Sequence, residues 1–175
     1  MKAAVLSSLV VLLFITFSLP AFSGSTPNTL IDRLGLVEPD LLRGSFPDTM
    51  EKMKELRQRR VRTIVNMSED EEVDAFEREA AAALGIKYIH YPLDGWKAPT
   101  DEQTAQMQKF MNDKSLRPLY IHCAHGRERT GVMVGLYRVF TNGWDAKKAY
   151  KEMKSYGFRP LAFNFTRYFK KKTGL

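Results

Sequence analysis

The segment His122-Cys123-Ala124-His125-Gly126-Arg127-Glu128-Arg129-Thr130-Gly131 directly follows Leu119-Tyr120-Ile121, an apolar run of the length of a buried strand. A glycine-containing helix is expected from the end of this segment through Phe140. A cysteine, five residues and an arginine, set between a strand and a helix, have a direct physical reading. The backbone N–H groups of residues 124–129 can curl around a phosphate dianion, and the helix N-terminus adds partial positive charge. Gly126 supplies the left-handed conformation that such a curl needs. The same field stabilises a thiolate at Cys123. Arg129 can grip two phosphate oxygens at once, which a lysine cannot. Thr130 is placed to donate its hydroxyl to the sulfur, and His122 to orient the loop through its ring nitrogens. Cys123, Arg129 and Thr130 are thus catalytic candidates, with Ala124, His125, Gly126, Arg127 and Glu128 around the bound phosphate.

A bare Cys-x5-Arg spacing arises by chance in roughly one chain in ten of this length. The preceding histidine, central glycine, following Thr-Gly and strand-to-helix context make this instance far more specific. Two other readings compete: an inert buried cysteine, and a metal site of His122, Cys123 and His125. Against a metal stand the opposite directions of adjacent strand residues and a single remaining histidine, His90.

Outward from this loop, the sequence alternates strands and helices. Asp48-Thr49-Met50-Glu51 reads as a capping box, opening a helix with Met50, Met53 and Leu56 on one face. Residues 61–66 form a β-branched strand, and Ser68 then caps an acidic helix that carries Val73, Phe76, Ala80 and Leu84 inward and stops at Gly85. Residues 86–91 give another strand and 92–99 a loop. Thr100 and Gln103 make a capping box for a helix to about Asn112, and further helices cover 145–156 and 161–172. This order predicts a three-layer α/β domain, its largely parallel sheet of about four to five strands flanked by helices. Ligands then sit beyond the carboxyl ends of the strands.

The 175 residues carry 27 Lys+Arg against 20 Asp+Glu, a net +7. Hydrophobic and charged fractions of 44% and 27% are those of a globular chain and exclude disorder. One cysteine excludes an internal disulfide and multi-cysteine metal sites. The run Lys52 to Arg62 reads as a mostly solvated helix face, and Arg167 with Lys170 to Lys172 suit the negative end of a helix. No aromatic platform for single-stranded nucleic acid is identifiable, so no nucleic-acid partner is expected.

Residues 1–23 read as a secretory signal peptide: Lys2, an apolar run from Leu9 to Phe17, Pro20, then Ala21-Phe22-Ser23 as cleavage site. Ser7, Ser8, Thr16, Ser18 and Pro20 interrupt the run, which falls short of the ~20 apolar residues of a membrane span. The expected mature protein is a single domain of residues 24–175, periplasmic or secreted, with no stable membrane insertion.

The motif His122-Cys123-x5-Arg129-Thr130-Gly131 resembles the signature of the cysteine-dependent protein tyrosine phosphatase superfamily. The short chain and the Arg-Thr-Gly ending are most similar to its compact dual-specificity and phytase-like, inositol-phosphatase branches. The likeness extends from Arg43-Gly44-Ser45-Phe46-Pro47 through the C-terminal helices. It implies a phosphocysteine intermediate hydrolysed by water, with no metal or cofactor. It also implies a general acid on a mobile loop about thirty residues before the cysteine, where proton donation commonly contributes 10²–10⁴-fold. Tyr91 to Pro99 lies at that distance, and Asp94 is the candidate. Asp101 is the alternative, but it begins a helix, where a carboxylate already has a structural role. The loop lacks the Trp-Pro-Asp form of the tyrosine-specific branch.

His125 and Arg127 flank Gly126, and Lys97 lies three residues past Asp94. These groups suit a small, multiply phosphorylated anion such as an inositol polyphosphate. The alternatives are a phosphoprotein substrate and a non-catalytic phosphate-binding module.

Overall fold

The computed structural model describes residues 29–175; the segment read as a signal peptide lies outside them. In chain order the elements are β1 (Gly35–Glu38), β2 (Leu41–Gly44), α1 (Met50–Gln58), β3 (Thr63–Asn66), α2 (Glu71–Ala83), β4 (Lys87–His90), α3 (Asp101–Asn112), β5 (Leu119–His122), α4 (Glu128–Phe140), α5 (Ala146–Ser155) and α6 (Phe163–Thr173). The strands form one five-stranded sheet in the order β1-β2-β5-β3-β4. Only the β1–β2 pair is antiparallel. In the registered ladders Gly44 and Asn66 both lie beside His122. The carboxyl ends of β2, β3, β4 and β5 therefore share one edge, and four loops leave from it.

Period-two alternation along β5 divides its side chains between two cores. Leu119, Ile121 and Cys123 join Met107, Met111, Met133 and Val134 from α3 and α4. Tyr120 points the other way, into the core that Met53 and Leu56 of α1 share with Ala80 and Ala81 of α2. This gives three layers, α1 and α2, the sheet, then α3 and α4. α4 is buried nearly all round because its far side meets Ala149, Met153, Phe165 and Phe169 of α5 and α6. A Cβ on Gly135 would lie 2.6 Å from the Met153 sulfur, so this glycine sets how closely α5 can approach.

The Thr100–Gln103 capping box forms as expected. The other two starts shift. Thr49, not Asp48, accepts from the Lys52 N–H and caps α1, while Asp48 pairs with Lys52 Nζ at 2.6 Å. Asp70, not Ser68, caps α2 by accepting from the Glu72 and Val73 N–H groups. Ser68 sits one bond earlier, its Oγ accepting from the Asp70 N–H.

Candidate active site

Cys123 lies at the carboxyl end of the central strand β5, and α4 begins at Glu128 after a single curl of backbone. Gly126 has φ +65°, and a Cβ there would stand 2.4 Å from the Gly44 carbonyl oxygen. Both the conformation and the close approach to β2 thus demand glycine. The loop's carbonyls are drawn outward. The Phe46 N–H donates to Ala124 O at 3.2 Å, Arg33 Nη1 to His125 O at 3.3 Å, and Arg43 Nη2 to Gly126 O at 2.6 Å. With the carbonyls held away, the N–H groups are left to face the bound anion. Arg43 is wholly buried and lies 4.2 Å from the centre of the Tyr156 ring. Burial pushes its pKa down to about 10, so it stays charged at neutral pH.

The Cys123 thiol is buried, which alone would raise its pKa. The Arg129 charge, the Thr130 hydroxyl and the N–H groups of Thr130 and Gly126 outweigh burial and bring it below the ordinary thiol value. The Thr130 hydroxyl is fully buried and makes no well-aligned hydrogen bond of its own. Arg129 is itself braced: Nη1 donates to Met67 O at 2.9 Å and Leu93 O at 3.0 Å. One guanidinium edge thereby ties the loops after β3 and β4 to the phosphate loop, leaving Nε and Nη2 for substrate.

Behind the loop lies a buried polar group that sequence reasoning did not find. His122 Nε2 is 2.9 Å from Glu77 Oε1, and both side chains are completely buried. Neither atom makes a well-aligned hydrogen bond, so the two groups are held by close packing. The His122 ring is stacked between Tyr120 and Phe46, at centroid distances of 5.4 and 6.4 Å. Its other nitrogen lies 3.4 Å from the Cys123 carbonyl. Glu77 continues to Tyr88, whose hydroxyl donates to Asp74 at 2.9 Å and accepts from Asn66 Nδ2 at 2.9 Å. His122 thus lies behind the loop, on the sheet face opposite Cys123.

The expected acid loop runs between two buried anchors, Leu93 and Pro99. Asp94 is turned into its own loop: Oδ1 accepts from the Trp96 and Lys97 N–H groups at 2.7 and 2.9 Å. Those two backbone bonds, with a lesser contribution from the Lys97 ammonium 3.4 Å away, hold the carboxyl below its usual range. An aspartate readily makes this turn with the N–H groups two and three residues on. Asp94 therefore does not line the cleft beside Cys123. Lys97, expected at the substrate, also faces elsewhere, into a neighbouring depression with Arg167 and Lys171. Asp101 is committed to Lys172 and Tyr168.

The cleft over Cys123 encloses about 820 Å³. One wall carries His125, Arg127, Arg129 and Arg159. Glu128 offsets part of that charge, binding Arg159 Nε at 2.6 Å with Arg127 Nε at 3.8 Å. Burial, with nearby Arg127, Arg33 and Arg159, lowers the His125 pKa, so that ring is neutral at pH 7. Much of the remaining lining is apolar. Trp96, Leu161 and Phe163 belong to it and are 84%, 77% and 64% exposed. Arg159, Leu161 and Phe163 come from the turn into α6, where the sequence shows no motif to mark them.

Residues 33–171 match a family model described as "DSP-PTPase phosphatase fused to NAD+ Kinase". The dual specificity protein phosphatase TpbA of Pseudomonas aeruginosa is 25% identical over 122 residues, 70% of this chain and 53% of that protein. An inositol diphosphatase of Oryza sativa subsp. japonica is 27% identical over 107 residues, 59% of this chain and 47% of its own. The chain thus spans about half the length of these curated relatives. In solved structures, P. aeruginosa TpbA superposes with a TM-score of 0.68 at 22% identity, covering 80% of this chain and 84% of that one. The catalytic domain of a PP-IP phosphatase from S. cerevisiae superposes with 0.71 at 18% identity, covering 80% and 85%.

Proposed function

The chain belongs to the family described as "DSP-PTPase phosphatase fused to NAD+ Kinase", and we propose that it is a phosphatase that hydrolyses phosphate monoesters on proteins outside the cytoplasm, through a phosphocysteine. The Cys123 thiolate attacks phosphorus while the bond to the leaving oxygen breaks. That oxygen takes its proton from Asp94. Water then attacks the phosphocysteine, gives a proton to the Asp94 carboxylate, and the sulfur leaves as thiolate with inorganic phosphate free. Arg129 and the loop N–H groups hold the equatorial oxygens through both transfers. For Asp94 to take part, its carboxyl must leave the Trp96 and Lys97 N–H groups, and with those bonds goes the cause of its low pKa.

The apolar lining of Trp96, Leu161 and Phe163 beside the cradle carries the choice of a protein substrate. Exposed large apolar side chains grouped at a site mark contact with an apolar partner surface, such as a phosphotyrosine ring and its apolar neighbours. A second reading, an inositol polyphosphate, is favoured by Arg127 and Arg159 in the same cleft and by the inositol diphosphatase relative. The extracytoplasmic setting rests on the sequence of residues 1–23.

Phosphate release from p-nitrophenyl phosphate without added metal, lost in Cys123→Ser, tests the chemistry; activity persisting in that variant refutes it. Phosphotyrosine peptides with apolar flanks, compared with inositol hexakisphosphate at matched ionic strength, decide between substrates. Trp96→Ala with Phe163→Ala should raise KM for the peptides and spare inositol hexakisphosphate. A higher kcat/KM for inositol hexakisphosphate in the unaltered protein would favour the second reading. Export is tested by recovering the protein outside the cytoplasm, shortened near Ser23.

A further inference from the structure

Next to the cleft is a separate depression of about 330 Å³, lined by Lys97, Ala98, Asn164, Arg167, Tyr168 and Lys171. Its lining holds three cations and no carboxylate. Arg167 and Lys171 stand one helical turn apart on α6, an arrangement of like charges that disfavours a helix. α6 has no acidic residue to offset them, and neither forms an ion pair among the described residues, whereas the neighbouring Lys172 is paired with Asp101 at 2.6 Å. The third cation, Lys97, is exposed and only loosely held by Asp94 at 3.4 Å.

The depression adjoins the cleft. Asn164 lines both, and its Nδ2 donates to Trp96 O at 2.9 Å. Trp96 faces the cleft and Lys97, the next residue, faces the depression. A substrate with one phosphate on Cys123 can pass over the Trp96–Asn164 contact and place a second anionic group among the three cations. The nearest carboxylates outside the lining are already engaged, Asp94 by its own loop and Asp101 by Lys172.

We propose that Lys97, Arg167 and Lys171 form a second anion site, which receives another phosphate or carboxylate of the molecule being dephosphorylated. This rests on the phosphatase reading and adds a selectivity for multiply anionic substrates. The shared chemistry has two sources, an acidic residue flanking a phosphotyrosine or a second phosphate on an inositol ring. An anion seated there also competes with Asp94 for the Lys97 ammonium.

The test uses the double variant Arg167→Gln/Lys171→Gln, at exposed positions where folding is not at risk. Lys147→Gln/Lys151→Gln on α5 is the control that removes the same charge elsewhere. Substrates are p-nitrophenyl phosphate, phosphotyrosine peptides with neutral or with acidic flanks, and inositol hexakisphosphate. In the first variant, KM should rise about tenfold, the loss of two surface charge contacts, for the acidic peptide, for inositol hexakisphosphate, or for both. The substrate affected identifies the source. p-Nitrophenyl phosphate and the neutral peptide should be unchanged, and the control should leave all four alone. An equal change in both variants, a change with p-nitrophenyl phosphate, or no change with either multiply anionic substrate overturns the second site. Absence of any p-nitrophenyl phosphate hydrolysis by the unaltered protein would instead overturn the phosphatase reading beneath it.

Discussion

Two loops at the same edge of the sheet are built to opposite specifications. Residues 123–130 are tied by the buried bond from Arg43 to Gly126 O, by the Phe46 N–H and by Arg33 at the surface, with Gly126 packed closely against the Gly44 backbone. Residues 94–98 lie between the buried Leu93 and Pro99 and are held mainly by exposed hydrogen bonds, from Gly95 N–H to Glu69 and from Asn164 to Trp96 O. Bonds open to water exchange partners at little net cost. The loop proposed to cradle the phosphate is over-determined, and the segment proposed to carry the proton donor is lightly held. Arg129 links the two, since one nitrogen holds Leu93 O while the guanidinium lies against Gly95.

The contrast can be broken most severely at Gly126. Gly126→Ala places a Cβ against the Gly44 carbonyl at a positive φ. It should lower stability by about 3 kcal/mol and abolish p-nitrophenyl phosphate hydrolysis, as measured by urea unfolding and phosphate release. A second blow to the rigid side is Glu77→Ala, which leaves His122 buried beside an empty space. A loss of about 3 kcal/mol is expected from the cavity and the unpartnered buried ring, with an upward shift in the thiol titration; Glu77→Gln, which keeps the shape, should be milder on both counts. A large stability loss with an unchanged thiol titration would make Glu77 purely structural.

On the lightly held side, Asp94→Asn should leave the melting temperature unchanged. It should reduce turnover of alkyl phosphates about 10²-fold and that of p-nitrophenyl phosphate little. Unchanged alkyl-phosphate turnover would remove Asp94 from the mechanism. The smallest effect is one of pH. Because the folded thiol titrates below its ordinary value, iodoacetamide alkylation of the native protein should rise with pH at a lower midpoint than in the unfolded chain. The linked stability is present above the ordinary thiol pKa and fades as pH falls through the lowered one. Inorganic phosphate should slow the alkylation, and Arg129→Ala should move the midpoint up.

Much of this architecture was legible in the chain because the relevant signals are local. The phosphate loop, the Thr100–Gln103 box and the strands around 63–66, 87–90 and 119–122 each declare themselves within about ten residues. The β1–β2 hairpin was not located. Its strands have four residues each, too few for a periodicity to stand out, and β2 draws its meaning from pairing with β5 far along the chain. Two helix starts shifted because adjacent Asp, Thr and Ser residues can each cap, and only the finished backbone selects one. Glu77 was hidden by its chemistry. On a helix read for its apolar stripe an acid belongs to the solvated face, and its burial follows from His122, which only the fold brings near. Likewise, Asp94 was placed by the family resemblance and Lys97 by its distance from Asp94, while their directions follow from hydrogen bonds inside their own loop.

The bond from Arg43 to the Gly126 carbonyl joins residues 83 positions apart. The cradle is therefore a long-range product of folding. It is complete only when the N-terminal hairpin has docked beside the central strand, and closing so large a loop belongs to the slower events of folding. Until then Cys123 is an ordinary thiol on a curl of unsupported backbone. The lowered thiol pKa belongs to the assembled loop, so the alkylation rate of this single side chain should report the fraction of molecules in which that loop has formed.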